Sequence, residues 1–408
     1  MERFFIKKSC FAVVFLIFIL GFSAVNFGVN RDVLAGLAHD LTEIDGISGL
    51  KSWTKDVEAQ LSEEILGRMN YVELYGYTQK ILGKHEFNNF SYIQDYDRML
   101  YYGSVSELPT DDLEEYVKNV KRLSEYVESR GGNFLVLLPP SKVLAGISTV
   151  NSAWPLNDPN NRIDKIMNLF QQYGIEAVDL RIAMQNSGRS LDQLFFKTDH
   201  HWTPLAAFYG TKDLINQISD RFGEQLDPDN YYRNLDNYHT YTYHDCFLGS
   251  SGRNTGILYS GLEDYTMLWP ECEMEFSWTD YEHGKEKRGS YTQALLQKSA
   301  LEDIKNVYKS STNKIYLNEV VNRDKIVNHS KPDGPRMTVL RDSYFSPMAC
   351  FLAPMCSEIN MLWTKSGENM EQFIRESEFD YVILEIYPYN LDEESFNFFH
   401  GTSGQKGA

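Results

Sequence analysis

Basic residues are in short supply. The 408-residue chain has 39 Lys and Arg against 57 Asp and Glu, a net charge of −18. That balance excludes a surface built to neutralise phosphates, so nucleic acid is not an expected partner. It also repels acidic polymers globally, so any polysaccharide groove must be shaped locally. Cysteine is scarce as well, with five in the chain, and their spacing gives no zinc signature, so no metal or cofactor is expected. No internal repeat or low-complexity tract occurs, which removes solenoid and linker-array architectures. Charge disappears altogether between Lys8 and Arg31, a run of 22 residues whose core, Cys10–Phe22, is almost wholly apolar.

Arg3, Lys7 and Lys8 precede that run, which favours an N-terminus kept in the cytoplasm. The length fits a spanning helix or a signal peptide. Ser23-Ala24-Val25 makes a mediocre cleavage site, so the expectation is an uncleaved anchor with Arg31–Ala408 on the extracytoplasmic side of the membrane. Cleavage and secretion are the alternative. Disulfides persist in that compartment. Cys350 and Cys356 are expected on one helix and its end, poor geometry for pairing with each other, which leaves Cys246–Cys272 as the expected bridge.

What is present reads as alternating helices and strands. Leu113, Tyr116, Val117, Val120, Leu123 and Val127 make one helical face, with Thr110 or Asp111 as cap and Gly131-Gly132 as stop. Phe134–Leu138 is a buried strand. A helix near Pro159–Tyr173 and a strand over Glu176–Leu180 follow. Thr203 and Pro204 open a helix running to about Phe222. Residues 224–335, rich in Tyr, Asn, Asp and Ser, break the pattern and read as hairpins and loops; their tyrosines fit half-buried strands or sugar-stacking faces. Strands resume near Met337–Leu340, Glu358–Trp363 and Asp380–Ile386.

The densest chemistry lies in Thr198-Asp199-His200-His201-Trp202-Thr203-Pro204. Asp199 and His201 stand two apart and can project to one side of an extended or turning segment. An acid that orients a histidine is the partner set of an activated serine. Downstream, Met337-Thr338-Val339-Leu340-Arg341-Asp342-Ser343 is an apolar strand ending in Asp-Ser. Each piece has a plainer reading, a surface pair for Asp-x-His and a helix cap for Asp-Ser. Both sit where loops at strand ends carry sites in open α/β sheets.

Four segments together resemble the DHHW family, part of the SGNH-hydrolase-like group that includes the alginate O-acetyltransferases of the bacterial periplasm. They are Thr198–Pro204, Phe247-Leu248-Gly249-Ser250-Ser251-Gly252-Arg253, Arg341-Asp342-Ser343-Tyr344 and Phe379–Glu385. The similarity runs from about Asn70 to about Leu391. It implies a three-layer α/β/α fold with a parallel sheet, circularly permuted because the serine comes last, and a β/loop-rich insertion. It implies a triad of Asp199, His201 and Ser343. Arg341 stands where such proteins often have glycine before Asp-Ser. The corresponding division is 1–30 anchor or signal, 31–105 membrane-proximal lead-in, 106–223 first part of the domain, 224–335 insertion, 336–395 second part and 396–408 flexible tail.

In this scheme His201 is the base and Asp199 its orienting acid. The Ser343 N–H and the Gly249–Arg253 segment are candidate oxyanion donors, the glycines by permitting close approach and Arg253 by clamping an anion. Ser250, Gly252, Arg253, Lys142, His200 and Tyr344 are the candidate substrate or oxyanion contacts. Lys142 either lines the cleft or is a solvated loop residue. His200 binds substrate, packs under the site or caps a loop. Trp202 is expected to anchor the turn by packing rather than to serve as a sugar platform, and Asp342 to cap the following helix, with fixing the nucleophile turn as the alternative. The function expected from the resemblance is an anchored extracytoplasmic O-acetyltransferase acting on a cell-surface or secreted polysaccharide. Its acetyl donor would be delivered by a multispanning membrane acyltransferase. A carbohydrate O-acetyl esterase, or a catalytically idle polysaccharide-binding or assembly protein, is the alternative.

Overall fold

The structure, a computed structural model, describes residues 2–42, 46–63, 65–103, 113–150, 153–302, 307–308, 315–317, 321–392 and 394–396. The expected cap residues Thr110 and Asp111 and the end of the tail, Gly401–Ala408, lie outside them. The chain forms two compact units, Met1–Thr78 and Gln79–Ala408.

The first unit is helical. It opens with Glu2–Val29, in which the 19-residue stretch Phe11–Val29 is long and apolar enough to cross a membrane. At about 1.5 Å per residue it spans about 28 Å, close to the roughly 30 Å hydrocarbon core of a bilayer. Helices Arg31–Thr42 and Gly46–Glu63 follow.

The second unit is built on an eight-stranded sheet. Its strands, numbered in chain order, are β1 Asn133–Leu138, β2 Ala177–Asp179, β3 Glu275–Asp280, β4 Lys285–Ser290, β5 Arg323–Asn328, β6 Arg336–Arg341, β7 Glu358–Trp363 and β8 Tyr381–Glu385. In space they run β2-β1-β8-β6-β7-β5-β3-β4. The first five in that order pair parallel, and the last three join antiparallel. The central strands are mostly apolar, interrupted only by Thr338 in β6 and Asn360 in β7, as suits a sheet covered on both faces. Their residues divide by the period of two. Val136, Leu340, Val382 and Leu384 pack with the Leu113–Ser129 and Asn160–Gln172 helices. Leu135, Leu137, Val339 and Ile383 pack on the opposite face with Pro204–Phe222 and Phe345–Leu352. The result is a three-layer α/β/α architecture. Thr203 caps the Pro204 helix by accepting the Ala206 N–H, and Gly223 ends it at φ 74°.

Two boundaries differ from expectation. Residues 224–335 are not only an insertion, because β3, β4 and β5 extend the main sheet. Their polar alternation hides this, most of all in β4, Lys-Glu-Lys-Arg-Gly-Ser, whose charges suit an exposed edge. The described residues of this region also include an antiparallel pair of strands, Tyr238–Phe247 and Glu263–Pro270, here called the hairpin. The lead-in also ends earlier, since residues from Gln79 onward belong to the larger unit. There a small antiparallel sheet ends in Leu100–Tyr102, and the Leu100 N–H donates to the Lys197 carbonyl at 2.9 Å.

The Cys246–Cys272 bridge is absent; both thiols are free, as are Cys350 and Cys356. Register explains it. Tyr238 pairs with Pro270, so Cys272 follows one end of the hairpin while Cys246 lies eight residues along from Tyr238, toward the other. At about 3.3 Å per residue that is roughly 26 Å, far beyond disulfide reach.

Candidate active site

The site forms at the carboxyl ends of the parallel strands. Strand β6 ends at Arg341, Asp342 and Ser343 make the turn, and the Phe345–Leu352 helix leads away. Ser343 is half-buried. Its Oγ lies 2.7 Å from His201 Nε2, and His201 Nδ1 lies 2.6 Å from Asp199 Oδ1. Asp199 also accepts the His201 backbone N–H at 3.0 Å, closing a tight turn. Asp199 and His201 are buried.

Charge in this line is set by its surroundings. Burial by itself would raise the Asp199 carboxyl. The two imidazoles and the donated hydrogen bonds outweigh it and hold Asp199 well below the usual carboxylate range. His200 is pushed down to about 3, first by burial and then by the neighbouring His201. It is therefore uncharged at neutral pH. Its ring sits 3.9 Å from that of His201 and packs against Tyr102, Tyr344 and Tyr387, with Nδ1 3.1 Å from Ser250 Oγ. Asp199, His200 and His201 also bring donor atoms within 4.8 Å of one another, as a metal site would. Both ring nitrogens of His201 are already engaged, by Asp199 and Ser343.

The loop carrying Asp199 is held from outside its own motif. The Ser250 N–H donates to Asp199 Oδ2 at 2.6 Å, the Gly249 N–H to Thr198 Oγ1 at 2.8 Å, and the Gly252 N–H to the Thr198 carbonyl at 2.8 Å. A Cβ on Gly249 would stand 2.2 Å from that of Asp199, and one on Gly252 2.8 Å from that of Thr198. The glycines do permit close approach, but to the Asp199 loop rather than to a ligand. This corrects the oxyanion role expected of Ser250 and Gly252, whose N–H groups are committed. Glu263 completes the clamp by accepting the N–H groups of Lys197 and Thr198, each at 2.7 Å, and the Thr198 hydroxyl. Sequence reading missed Glu263, one acid among 57 Asp and Glu with no motif around it.

The other candidates divide. Lys142 is neither solvated nor a cleft contact with a free head. It is buried, and its ammonium donates to the carbonyls of Leu100 at 2.9 Å and Lys197 at 3.1 Å. Burial pushes it down to about 8. Tyr344 is also committed, since its hydroxyl donates to the His200 carbonyl and its ring stacks on Tyr387 at 4.3 Å. Arg253 is half-buried, with Nη1 3.5 Å from the Leu248 carbonyl. Trp202 is buried against Tyr344, and its indole N–H donates to the Tyr344 carbonyl at 3.2 Å.

Asp342 fixes the turn that carries Ser343 instead of capping the helix. Oδ1 accepts the Tyr344 N–H at 2.9 Å, and Oδ2 accepts the Tyr387 N–H at 2.6 Å and the Asn390 side chain at 3.2 Å. The helix begins after Tyr344 with no side-chain cap. Beneath the turn Glu385 accepts the Asp342 N–H at 2.9 Å; burial, then the Asp342 charge, pushes its carboxyl well above the usual range. Arg341 is wholly buried and pairs with Asp324 at 2.8 Å, tying the end of β6 to β5.

Comparison with known proteins agrees with this architecture. Residues 96–241 match the family model described as SGNH hydrolase-like domain, acetyltransferase AlgX. The fold is similar to that of PatB1 from Bacillus cereus, solved with a sulfonyl adduct, at TM-score 0.57 and 17% identity over 76% of this chain and 100% of that one. It is similar to a DHHW family protein from Eubacterium siraeum at TM-score 0.56 and 16% identity, over 76% and 98%. No curated protein matches. Residues 96–241 thus resemble an SGNH hydrolase-like domain, the chain shares the fold of these structures, and Asp-His-His-Trp stands at 199–202.

Proposed function

We propose that the protein is an extracytoplasmic O-acetyltransferase that modifies a cell-surface or secreted polysaccharide through an acetyl-Ser343 intermediate. The observation that carries this reading is the continuous hydrogen-bonded line from Asp199 through His201 to Ser343. Ser343 Oγ attacks the carbonyl carbon of an acetyl ester while His201 Nε2 takes its proton. The donor's C–O bond breaks and the proton passes to the leaving oxygen. A sugar hydroxyl then attacks acetyl-Ser343, with His201 accepting its proton and returning it to Ser343. One ester is exchanged for another, so no cofactor is needed. Asp199, ionised in this environment, orients His201 and stabilises the imidazolium. Neutral His200 adds no competing charge. The Ser343 N–H is the proposed oxyanion donor, and Arg253 the proposed anion contact.

The Phe11–Val29 helix supports anchoring to the membrane. An acetyl group used outside the cytoplasm needs delivery across the bilayer, which fits a multispanning membrane acyltransferase as partner. The test is to incubate the detergent-solubilised full chain with an acetyl ester donor and candidate glycans, following O-acetyl groups on the sugar by NMR. Serine-dependent glycan acetylation is expected. Acetate release without acetylated glycan would favour an esterase, and equal products from wild type and Ser343→Ala would move the chain to a binding role.

A further inference from the structure

A cavity of about 20 Å³ opens directly beside the nucleophile, with Ser343 and His201 on its wall. One water needs about 10–15 Å³ of such space, so this cavity takes one group of water or methyl size. The remaining wall is mostly apolar: Phe196, Trp202, Pro204, Tyr265, Tyr316 and Pro347. The polar ends of two of these are engaged elsewhere. The Tyr316 hydroxyl bonds both backbone groups of Leu268, and the Trp202 indole N–H donates to Tyr344. Ser346 also lines the cavity, and its buried hydroxyl has no partner among the described residues. Beyond Phe196 and Pro204, which both spaces share, lies a much larger cleft of about 400 Å³, floored by Phe195, Leu235 and Leu268 and rimmed by Arg189 and Asp264.

We propose that the small cavity is the acyl pocket, that it receives the methyl group of the acetyl ester on Ser343, and that Phe196 and Pro204 are the partition that excludes longer acyl chains. The inference rests on the reading of Ser343 as acyl carrier and adds the rule that sets acyl length. A methyl group fills a space walled by rings and two prolines, with the Ser346 hydroxyl on one side of it. A second or third carbon has to enter the partition. Each additional methylene at such a site discriminates by about 10–200-fold. The large cleft next door is what the partition withholds.

The test measures kcat/KM of the detergent-solubilised full chain on 4-nitrophenyl formate, acetate, propionate and butyrate, for wild type and two variants. Wild type should prefer acetate to butyrate by at least about tenfold. Phe196→Ala joins the pocket to the larger cleft and should lower that ratio about tenfold or more. Phe196 packs on Phe247 and Tyr265 at 4.7 and 5.1 Å, so this variant is the one at risk of misfolding. Ser346→Thr carries no such risk of breaking a bond, and it adds one methyl to the wall. It should raise the formate-to-acetate ratio about tenfold. Folded variants with the wild-type chain-length profile would overturn the pocket while leaving the serine mechanism standing. A wild type that turns over no acyl ester would overturn both.

Discussion

The loop that carries His201 and the turn that carries Ser343 meet at a 2.7 Å contact, yet they are held in opposite ways. The Thr198–Trp202 loop has an ionised carboxylate at its centre and is clamped by segments far along the chain, Gly249–Gly252 and Glu263. The Asp342–Tyr344 turn is held by Asp342 itself and by Glu385 and Tyr387 on and after the adjacent strand β8. Glu385 sits fully buried with its carboxyl pushed up by burial and the Asp342 charge, whereas the two imidazoles hold Asp199 low. The contrast shows why the region between the two halves of the domain is needed. It delivers the hairpin whose ends brace the histidine loop, while Ser343 is fixed by the sheet.

Removing the reacting groups should have the largest effect. Ser343→Ala and His201→Ala should each lower ester turnover at least about a thousandfold without unfolding the protein, because such groups act as a unit. Asp199→Asn should cost about a hundred- to ten-thousandfold, through the wrong tautomer and orientation. Steady-state kinetics with melting curves check both.

The clamp itself can be broken next. Gly249→Ala forces a methyl into a space 2.2 Å from the Asp199 Cβ. It should destabilise by about 1–3 kcal/mol, as overpacking does, and lower kcat more than it changes KM. Thermal melts and kinetics on one preparation decide it.

The two carboxyls should separate by pH. Asp199 has a folded pKa below its unfolded value, so its contribution is present above about pH 4 and is lost as pH falls through the folded pKa. Glu385 has a raised folded pKa, so its contribution is present below about pH 4 and is lost as pH rises from there through the folded pKa. Asp199→Asn should therefore flatten the acid limb of stability against pH, and Glu385→Gln the alkaline limb. Denaturant midpoints across pH measure this. Matching limbs in the two variants would erase the comparison.

The smallest effect concerns the hairpin that braces the loop. It needs no disulfide, so Cys246→Ser with Cys272→Ser should leave turnover within about twofold. The melting temperature should change by only a few degrees, as Cys246 is a small buried group. Unreduced peptide mapping should find both thiols free.

Much of this was legible in the residues. The run at Phe134–Leu138 is apolar on both faces, and those at Met337–Leu340 and Glu358–Trp363 nearly so, which marks them as buried strands. Thr203-Pro204 marks a helix start by its own chemistry. Asp199, His201 and Ser343 were readable because motif and spacing coincide. The supporting groups were not. Glu263 and Glu385 are ordinary acids until the fold brings backbone N–H groups to them. The glycines of 249–252 signalled close approach without saying to what. Strands β3 to β5 alternate polar residues, because they lie toward one edge of the sheet and face less core.

The most direct test of the central claim is mass spectrometry of the Ser343 peptide, acid-quenched within a turnover of mixing the full chain with an acetyl ester. One added acetyl group is expected on Ser343 in wild type and none in Ser343→Ala or His201→Ala. Acetyl on another side chain, or wild-type transfer by Ser343→Ala with no adduct at all, would contradict it.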